Sequence, residues 1–271
     1  MLADSLEVAL RLAREASKEV MRVYESNDFG VVIKADGSPI TAADKEANRI
    51  IVRGLRRYFP NDVVLSEESH FDRKTPLGRR VWMVDPIDGT QDFVQRTGDF
   101  AVMIGLCISG RPSLGVVAAP ALGRTWAGGL GLGAFEETGG GRIPLSIWEP
   151  APDVPIRFVV SRTHRPPGLD AVLAAVGPHT TVSRGGVGVK VGLVMSGEAD
   201  AYLHPSPGTH LWDCCAPQAI IAAAGGRLTD ASGQEIVYEP TQTANPNGVL
   251  AAPPELHARL AALVPAGRPI R

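Results

Sequence analysis

Residues 81–93 read Val81-Trp82-Met83-Val84-Asp85-Pro86-Ile87-Asp88-Gly89-Thr90-Gln91-Asp92-Phe93. The apolar run Val81–Val84 predicts a buried strand, because it is short, partly β-branched and bounded by turn residues. Pro86 has no N–H group, which predicts that strand pairing stops just after Asp85. Gly89 predicts a turn with positive φ, and the residues from Thr90 onward predict a short helix.

Two carboxylates, Asp85 and Asp88, lie three residues apart between this strand and this helix. Carboxylate oxygens are the ligands that a hard cation such as Mg²⁺ takes. The exposed N–H groups of a turn and a helix start bind anions such as phosphate. The stretch therefore favours a metal ion beside a phosphate group, although an acidic surface turn that caps a helix fits these residues as well.

The composition excludes several classes of protein. The 271 residues carry 27 basic and 29 acidic side chains, a net charge of −2, so neither a nucleic acid polymer nor an anionic membrane is an expected partner. The three cysteines, Cys107, Cys214 and Cys215, have no disulfide or C-x-x-C spacing, which favours a reducing cytoplasm. The acidic, amphipathic N-terminus does not resemble a signal peptide, and no apolar run is long enough to span a bilayer.

The chain divides into two halves that differ in their pattern of elements. Residues 1–150 predict two amphipathic helices, over 4–25 and Ala42–Tyr58, followed by strands that form an antiparallel meander. Residues 138–155, which are rich in glycine and proline, predict the crossing between the halves. Residues 151–271 alternate strands and helices, so helices packed on a second sheet are expected there.

Other acids lie at the ends of predicted elements. Asp44 falls in the first turn of the second helix, Glu67 and Glu68 follow a short strand, and Asp213 opens a later helix. Each has an ordinary explanation of its own, as a capping acid, a solvated loop or a group that compensates the helix dipole. Asp85 and Asp88 alone, however, cannot fill the coordination shell of Mg²⁺, so the pattern favours convergence of these acids.

Four motifs resemble those of the inositol monophosphatase superfamily, which comprises Mg²⁺-dependent, lithium-sensitive phosphatases. Residues 85–93 resemble its first signature, and Trp212-Asp213-Cys214-Cys215-Ala216 resembles its second, Trp-Asp-x-x-Ala. Ser66-Glu67-Glu68-Ser69 is similar to its Gly-Glu-Glu-Ser, and Thr41-Ala42-Ala43-Asp44 to its Thr-x-x-Asp. The motifs occur in the family's order over residues 41–216.

The resemblance implies an α/β fold, a layered α-β-α-β-α sandwich. An antiparallel sheet would belong to the N-terminal part, residues 1–150, which carries most of the metal ligands. A smaller mixed sheet would belong to the C-terminal part, residues 151–271, which carries Asp213 and the substrate-recognition residues. The metal ions would lie in the cleft between the two parts.

The resemblance also implies a role for each matched residue. Glu67, Asp85 and the carbonyl of Ile87 would hold one Mg²⁺, while Asp85, Asp88 and Asp213 would hold a second, and a third, weaker ion may attach through Glu67. Thr90 and Asp44 would orient and deprotonate a metal-bound water, so Asp44, Thr90 and Glu67 are the catalytic candidates. The expected contacts to the substrate come from Asp88, Gly89, Thr90 and Asp213. Inhibition by Li⁺ is a further expectation, whereas Cys214 and Cys215 are expected to be packing residues.

Three features favour the branch that hydrolyses adenosine 3′,5′-bisphosphate. Asp92 follows Gly-Thr-x where those nucleotidases carry a glutamate. Ser161 and His164 match a Ser-x-x-His element that contacts the nucleotide, and Lys190 matches a lysine that faces the non-scissile phosphate. Two departures weaken this assignment, because Val187 replaces a serine and Pro205 replaces an arginine, a loss for which Arg184 might compensate.

Alternatives therefore stay open at this point. An inositol or other sugar monophosphatase, a fructose-1,6-bisphosphatase and a histidinol-phosphatase all fit the same metal ligands. A non-catalytic protein that binds Mg²⁺ and phosphate on this scaffold is a different class. In every case the expected partner is a small phosphate ester, and a homodimer is left open.

Overall fold

The computed structural model describes residues 1–26, 29–34, 37–69, 80–163, 165–239 and 242–264. Within these ranges the helices lie close to their predicted positions. They are α1 (Leu2–Glu25), α2 (Ala42–Tyr58), α3 (Thr90–Val94), α4 (Leu169–Val176), α5 (Val187–Met195), α6 (Leu211–Ala223) and α7 (Pro254–Ala261).

The strands form one large sheet, one smaller sheet and two short ribbons. The large sheet contains β3 (Val63–Ser66), β4 (Arg80–Asp88), β5 (Ala101–Ile108), β6 (Arg111–Ala119), β7 (Arg124–Gly129), β8 (Gly133–Thr138) and β9 (Gly141–Pro144). The smaller sheet contains β10 (Ile156–Ser161), β11 (His179–Arg184), β12 (Ala201–His204), β14 (Arg227–Thr229) and β16 (Val249–Ala252). The ribbons pair β1 (Val32–Ile33) with β2 (Pro39–Ile40), and β13 (Thr209–His210) with β15 (Ala244–Asn245).

The two sheets have the expected character. In the large sheet the strands follow chain order from β3 to β9, and every neighbouring pair is antiparallel except β3 with β4. The smaller sheet has the order β11-β10-β12-β16-β14 and is mixed, since β10 is parallel to both of its neighbours and the remaining pairs are antiparallel. The predicted antiparallel and mixed sheets are thereby confirmed.

Five layers of structure bury three apolar clusters. Helices α1 and α2 cover one face of the large sheet, and α5 and α6 lie between the large sheet and the smaller one. Helices α4 and α7 cover the outer face of the smaller sheet, where Leu173 and Leu256 pack in one cluster with Phe158. The α-β-α-β-α sandwich predicted from the resemblance is confirmed.

Two glycines let α6 approach the large sheet very closely. Gly105 and Gly115 are register partners on β5 and β6. A Cβ atom at Gly115 would lie 2.2 Å from the carbonyl oxygen of Ala216, and one at Gly105 would lie 2.7 Å from the nitrogen of Ala216. Because a side chain at either position would displace the helix, these glycines fix the depth at which the first turns of α6 lie over the sheet.

The stretch 81–93 forms the predicted strand, turn and helix, with one correction. Gly89 has a φ of +86° and α3 begins at Thr90, as expected. Strand β4, however, does not stop after Asp85 but continues to Asp88, which pairs with Ala101. The register shifts between Asp85 and Asp88, so Pro86 lies in an irregularity of the ladder where its missing N–H costs no pairing.

Other predicted features were wrong or incomplete. Residues 138–155 are not only a crossing, because Gly141–Pro144 adds an exposed edge strand to the large sheet. Tyr58, predicted on the inner face of α2, is 43% exposed, and the guanidinium of Arg11 lies 4.5 Å from its ring centroid. None of the described helices is both long and apolar enough to cross a membrane.

Candidate active site

The acids predicted to converge come from three elements on the large sheet and from α6. Asp85 and Asp88 lie on β4, and Glu67 follows β3, which is parallel to β4, so the ends of these two strands are adjacent. Asp213 lies in the first turn of α6, which the contact at Gly105 and Gly115 holds over the neighbouring strands. The fold thus brings acids from distant parts of the sequence to one end of the sheet.

The mutual repulsion of these acids is large. Burial raises the pKa of Asp85 well above its usual range, and the charges of Glu67, Asp88 and Asp213 raise it further. Burial likewise raises the pKa of Asp213, followed by repulsion from Asp88 and Glu67. Such a cluster favours either shared protons or a bound cation.

Asp88 also joins the two sheets. Its Oδ1 accepts a hydrogen bond from the backbone N–H of Val187 at 2.9 Å, and its Oδ2 accepts one from Gly188 at 2.6 Å, both at the start of α5. Burial raises the pKa of Asp88, whereas the charge of Lys190 and these two amides lower it. The carboxylate therefore caps α5 while it faces the acid cluster.

Asp213 is held in a comparable way by its own helix. The backbone N–H of His210 donates to its Oδ2 at 2.7 Å, which completes a capping box at the start of α6. His210 and Trp212 stack with ring centroids 4.8 Å apart and an interplanar angle of 9°. The cap fixes the direction of the Asp213 carboxylate before any ligand binds.

Thr90 and Asp44, predicted to be a pair, are adjacent. The hydroxyl of Thr90 lies 3.2 Å from Oδ1 of Asp44 and 3.0 Å from the carbonyl oxygen of Ile87. The other oxygen of Asp44 accepts hydrogen bonds from the backbone N–H of Thr41 at 2.7 Å and from its hydroxyl at 2.5 Å. Burial raises the pKa of Asp44 to about 6, although the bonds from Thr41 and Thr90 oppose that rise.

Lys34 is a residue of this site that the sequence reasoning missed. Its ammonium group forms ion pairs with Glu67, at 2.9 Å, and with Glu68. Burial lowers the pKa of Lys34, but the two carboxylates outweigh burial and the pKa rises. The residue follows β1 in a segment without a sequence motif, so the signal that could have found it, one lysine between two turn signals, is weak.

The donor set fits a hard divalent cation. All the candidate side-chain donors are carboxylate oxygens, which is the chemistry Mg²⁺ prefers. The cationic group of Lys34 already neutralises Glu67, which indicates that this edge of the cluster accepts positive charge. Within the described part of the chain, no three His, Cys, Asp or Glu side chains stand ready-made at metal-binding spacing. Glu67, Asp85, Asp88 and Asp213 would therefore have to close around an ion.

A cavity of about 720 Å³ extends from these acids towards the smaller sheet. Glu67, Asp88 and Asp213 line its acidic end, and Thr90 lines its wall. A volume of this size is typical of sites for small organic ligands. A second cavity, of about 570 Å³, lies at the N-terminus of α1, and none of the predicted site residues lines it.

The far end of this cavity contains residues predicted to recognise substrate. Ser161 and Lys190 both line the cavity, whereas His164 lies outside the described residues. Lys190 is only 3% exposed, its Nζ lies 5.1 Å from the ring centroid of Tyr202, and burial lowers its pKa to about 8. Gly89 also lines this cavity, and a Cβ there would meet the carbonyl oxygen of Asp99 at 2.8 Å.

Arg162 is a second residue whose role the sequence did not reveal. Its guanidinium forms ion pairs with Asp92 and Asp99, two buried acids of the N-terminal half. Asp99 also accepts a hydrogen bond from the backbone N–H of Gly185 at 3.2 Å. The side chain of Asp92, which was predicted to bear on substrate choice, is thus part of an ion-pair network that links the two halves.

Similarity to known proteins agrees with this arrangement. A profile described as the inositol monophosphatase family matches residues 1–267. The chain belongs to the inositol monophosphatase family. As a member, it is a phosphatase of a divalent-metal-dependent kind, and the predicted family and enzyme class are confirmed.

Individual relatives extend the comparison. The chain is 37% identical over 246 residues to "3′(2′),5′-bisphosphate nucleotidase CysQ" of Escherichia coli strain K12, covering 88% of this chain and 95% of that one. It is 30% identical over 255 residues to the protein of the same name from Aggregatibacter actinomycetemcomitans, covering 92% of each chain.

Solved structures show the same fold. The crystal structure of CysQ from Bacteroides thetaiotaomicron has a TM-score of 0.81 and 28% identity, covering 92% of this chain and 97% of that chain. An inositol monophosphatase from Anabaena has a TM-score of 0.77 at 22% identity, covering 99% and 98% of the two chains, and supports the fold alone.

Proposed function

We propose that this protein is a Mg²⁺-dependent 3′(2′),5′-bisphosphate nucleotidase that removes the 3′-phosphate of adenosine 3′,5′-bisphosphate. The observation that carries the proposal is one cavity with a carboxylate cluster at one end and a buried lysine, Lys190, towards the other. A bisphosphate needs both, because one phosphate is cleaved beside metal ions and the second requires a cation. The 37% identity to the Escherichia coli nucleotidase supports the same substrate class.

Glu67, Asp85, Asp88, Asp213 and the carbonyl of Ile87 would hold two or three Mg²⁺ ions. Such ions, when bound, neutralise phosphate charge, lower the pKa of water and stabilise attacking and leaving oxygens. The carboxylates contribute by holding negative charge in a buried site, where desolvation strengthens their attraction for cations. We expect Li⁺ to inhibit by competing for one of these positions.

Thr90 and Asp44 would orient and activate the attacking water. The hydroxyl of Thr90 lies between Asp44 and the carbonyl of Ile87, so it can pass a proton to the carboxylate while its oxygen accepts one from water. Thr41 holds the other oxygen of Asp44, which keeps the first oxygen directed at Thr90. Asp44 acts as the proton acceptor of this relay when it is ionised.

Substrate contacts would come from both ends of the cavity. Gly89 and Thr90 lie beside the acid cluster and would contact the scissile phosphate, as would Asp88 and Asp213 through the ions. Ser161 and Lys190 lie nearer the smaller sheet and would contact the remainder of the nucleotide. The predicted contact from His164 lies outside the described residues.

The decisive experiment measures phosphate release from adenosine 3′,5′-bisphosphate, inositol 1-phosphate and fructose 1,6-bisphosphate, with Mg²⁺ and with EDTA. We expect the highest kcat/KM on the first substrate, no turnover in EDTA, and no turnover by Asp85→Ala. A higher kcat/KM on inositol 1-phosphate would contradict the nucleotidase assignment. Absence of Mg²⁺-dependent release from all three esters would refute the enzymatic proposal.

A further inference from the structure

We propose that Arg184 binds the second, non-scissile phosphate of the substrate and thereby sets the preference for bisphosphates. This inference rests on the proposed nucleotidase function, which it deepens by naming a residue. Arg184 lines the cavity together with Ser161 and Lys190. None of the assigned metal or phosphate contacts accounts for an arginine at that position.

The topology of the smaller sheet places Arg184 at the correct edge. Arg184 ends β11 and is the register partner of Ser161, which ends the parallel strand β10. On the other side of β10, the parallel strand β12 ends at His204, and His204 lines the same cavity. Ligands of open α/β sheets bind at the carboxyl ends of parallel strands, where Arg184 and Ser161 lie about 5 Å apart along the sheet.

The contacts of the nearby arginines distinguish Arg184 from them. Arg162 forms ion pairs with two buried acids, and Arg165 forms one with Asp170. The guanidinium of Arg184 donates to the carbonyl of Ser183 at 3.3 Å, and the carboxylate paired with it, Asp99, is 3.9 Å away. Arg184 can therefore turn to a phosphate without breaking a close ion pair.

The backbone beside Arg184 fixes its position relative to the metal end. A Cβ at Gly185 would lie 2.1 Å from Cγ of Asp92, and one at Gly186 would lie 2.7 Å from Oδ2 of Asp88. These two glycines bring β11 and the start of α5 directly against the acids of β4 and α3. A substrate with one phosphate at the carboxylate cluster can therefore present a second phosphate to Arg184 across the same cavity.

Lys190 and Arg184 divide the work at this end of the cavity. Lys190 is 3% exposed and supplies a point charge from beneath, while the half-exposed guanidinium of Arg184 can form two parallel hydrogen bonds with phosphate. Pro205 and Val187 lie on neighbouring segments and offer no side-chain donor. The second phosphate would thus be bound by one buried and one mobile cation.

The test compares Arg184→Gln with Arg165→Gln, a matched control at another arginine of the cavity wall. The Mg²⁺-loaded full-length enzyme is assayed on adenosine 3′,5′-bisphosphate and on adenosine 3′-monophosphate, which has the same scissile group but no second phosphate. We expect Arg184→Gln to lower kcat/KM about 10- to 100-fold on the bisphosphate, mainly through KM, and less than about twofold on the monophosphate. Arg165→Gln should change neither value by more than about twofold.

Product inhibition gives an independent measurement. Adenosine 5′-monophosphate retains only the second phosphate, so its inhibition constant should rise by a similar factor in Arg184→Gln, while that of adenosine should not change. An equal loss on both substrates, or no loss on either, would overturn the role of Arg184. If the wild-type enzyme does not hydrolyse the bisphosphate, the proposed function itself fails, which is a different result.

Discussion

Asp44→Asn should make the metal-free protein more stable and the enzyme inactive. Asp44 is 1% exposed, and burial raises the pKa of its carboxyl group from 3.8 to about 6. A pKa difference of about two corresponds to about 3 kcal/mol. The ionised carboxylate therefore costs the folded, metal-free protein about that much at pH 8, where asparagine carries no charge.

The pH dependence identifies the cause. Because the pKa is higher in the folded state, the folded protein binds the proton more tightly, so this contribution to stability is fully present only below about pH 3.8. It declines as the pH rises through about 6, and about half of the 3 kcal/mol is lost between pH 5 and pH 8. Asparagine still accepts the N–H of Thr41, but the weaker bonds to Thr41 and Thr90 cost about 1 kcal/mol.

Urea unfolding in EDTA, followed by circular dichroism at pH 5 and pH 8, measures this effect. We expect Asp44→Asn to exceed the wild type by about 1–2 kcal/mol at pH 8 and to lose most of that advantage at pH 5. Exposed Asp153→Asn is the matched control and should not differ from the wild type at either pH. The phosphatase activity with Mg²⁺ should fall about 10²- to 10⁴-fold. A stability difference that is equal at both pH values would refute the reasoning.

Three further predictions follow from other contacts. Lys190→Met should weaken binding of the bisphosphate more than that of inositol 1-phosphate, and it should remove the fall in kcat/KM that we expect in the wild type above about pH 8, where the buried ammonium loses its proton; an unchanged pH profile would contradict this. Gly115→Ala should destabilise the protein by about 1–3 kcal/mol because its methyl group would overlap α6, whereas Gly139→Ala, which has no neighbour within 4 Å, should not, as thermal unfolding can establish. Arg162→Met should lower the melting temperature because Asp92 and Asp99 would lose the cation between them, whereas Arg165→Met, at an exposed pair, should leave it unchanged; equal shifts would argue against a structural role for Arg162.

The order and type of the main elements were accessible from the sequence because their signals are local. Helix α2 begins and ends where its cap and its terminal Pro60 predict, since Thr41 accepts bonds from the amides of Ala43 and Asp44. The meander of β5 to β8 follows from apolar runs that glycines separate. Strand β4, by contrast, continues beyond Pro86 because its partner strand tolerates an irregular register there, and a partner strand is not a local signal.

The predicted site was accurate where motifs determine it and incomplete where tertiary contacts do. Asp44 and Thr90 lie together as expected, and the acids of β4 and α6 converge. The pairing of Lys34 with Glu67 and Glu68, and the network around Arg162, join segments that are more than thirty residues apart. No spacing rule relates such residues, because the three-dimensional course of the chain alone sets their distance.

Asp88 connects the candidate metal site to the junction of the two sheets. The same carboxylate faces the acid cluster and accepts the amide hydrogens of Val187 and Gly188. A cation that draws electron density from this carboxylate also weakens its hold on those two amides. Their exchange with deuterated solvent would consequently report the charge state of the site, tens of residues away in sequence, without any substrate or added label.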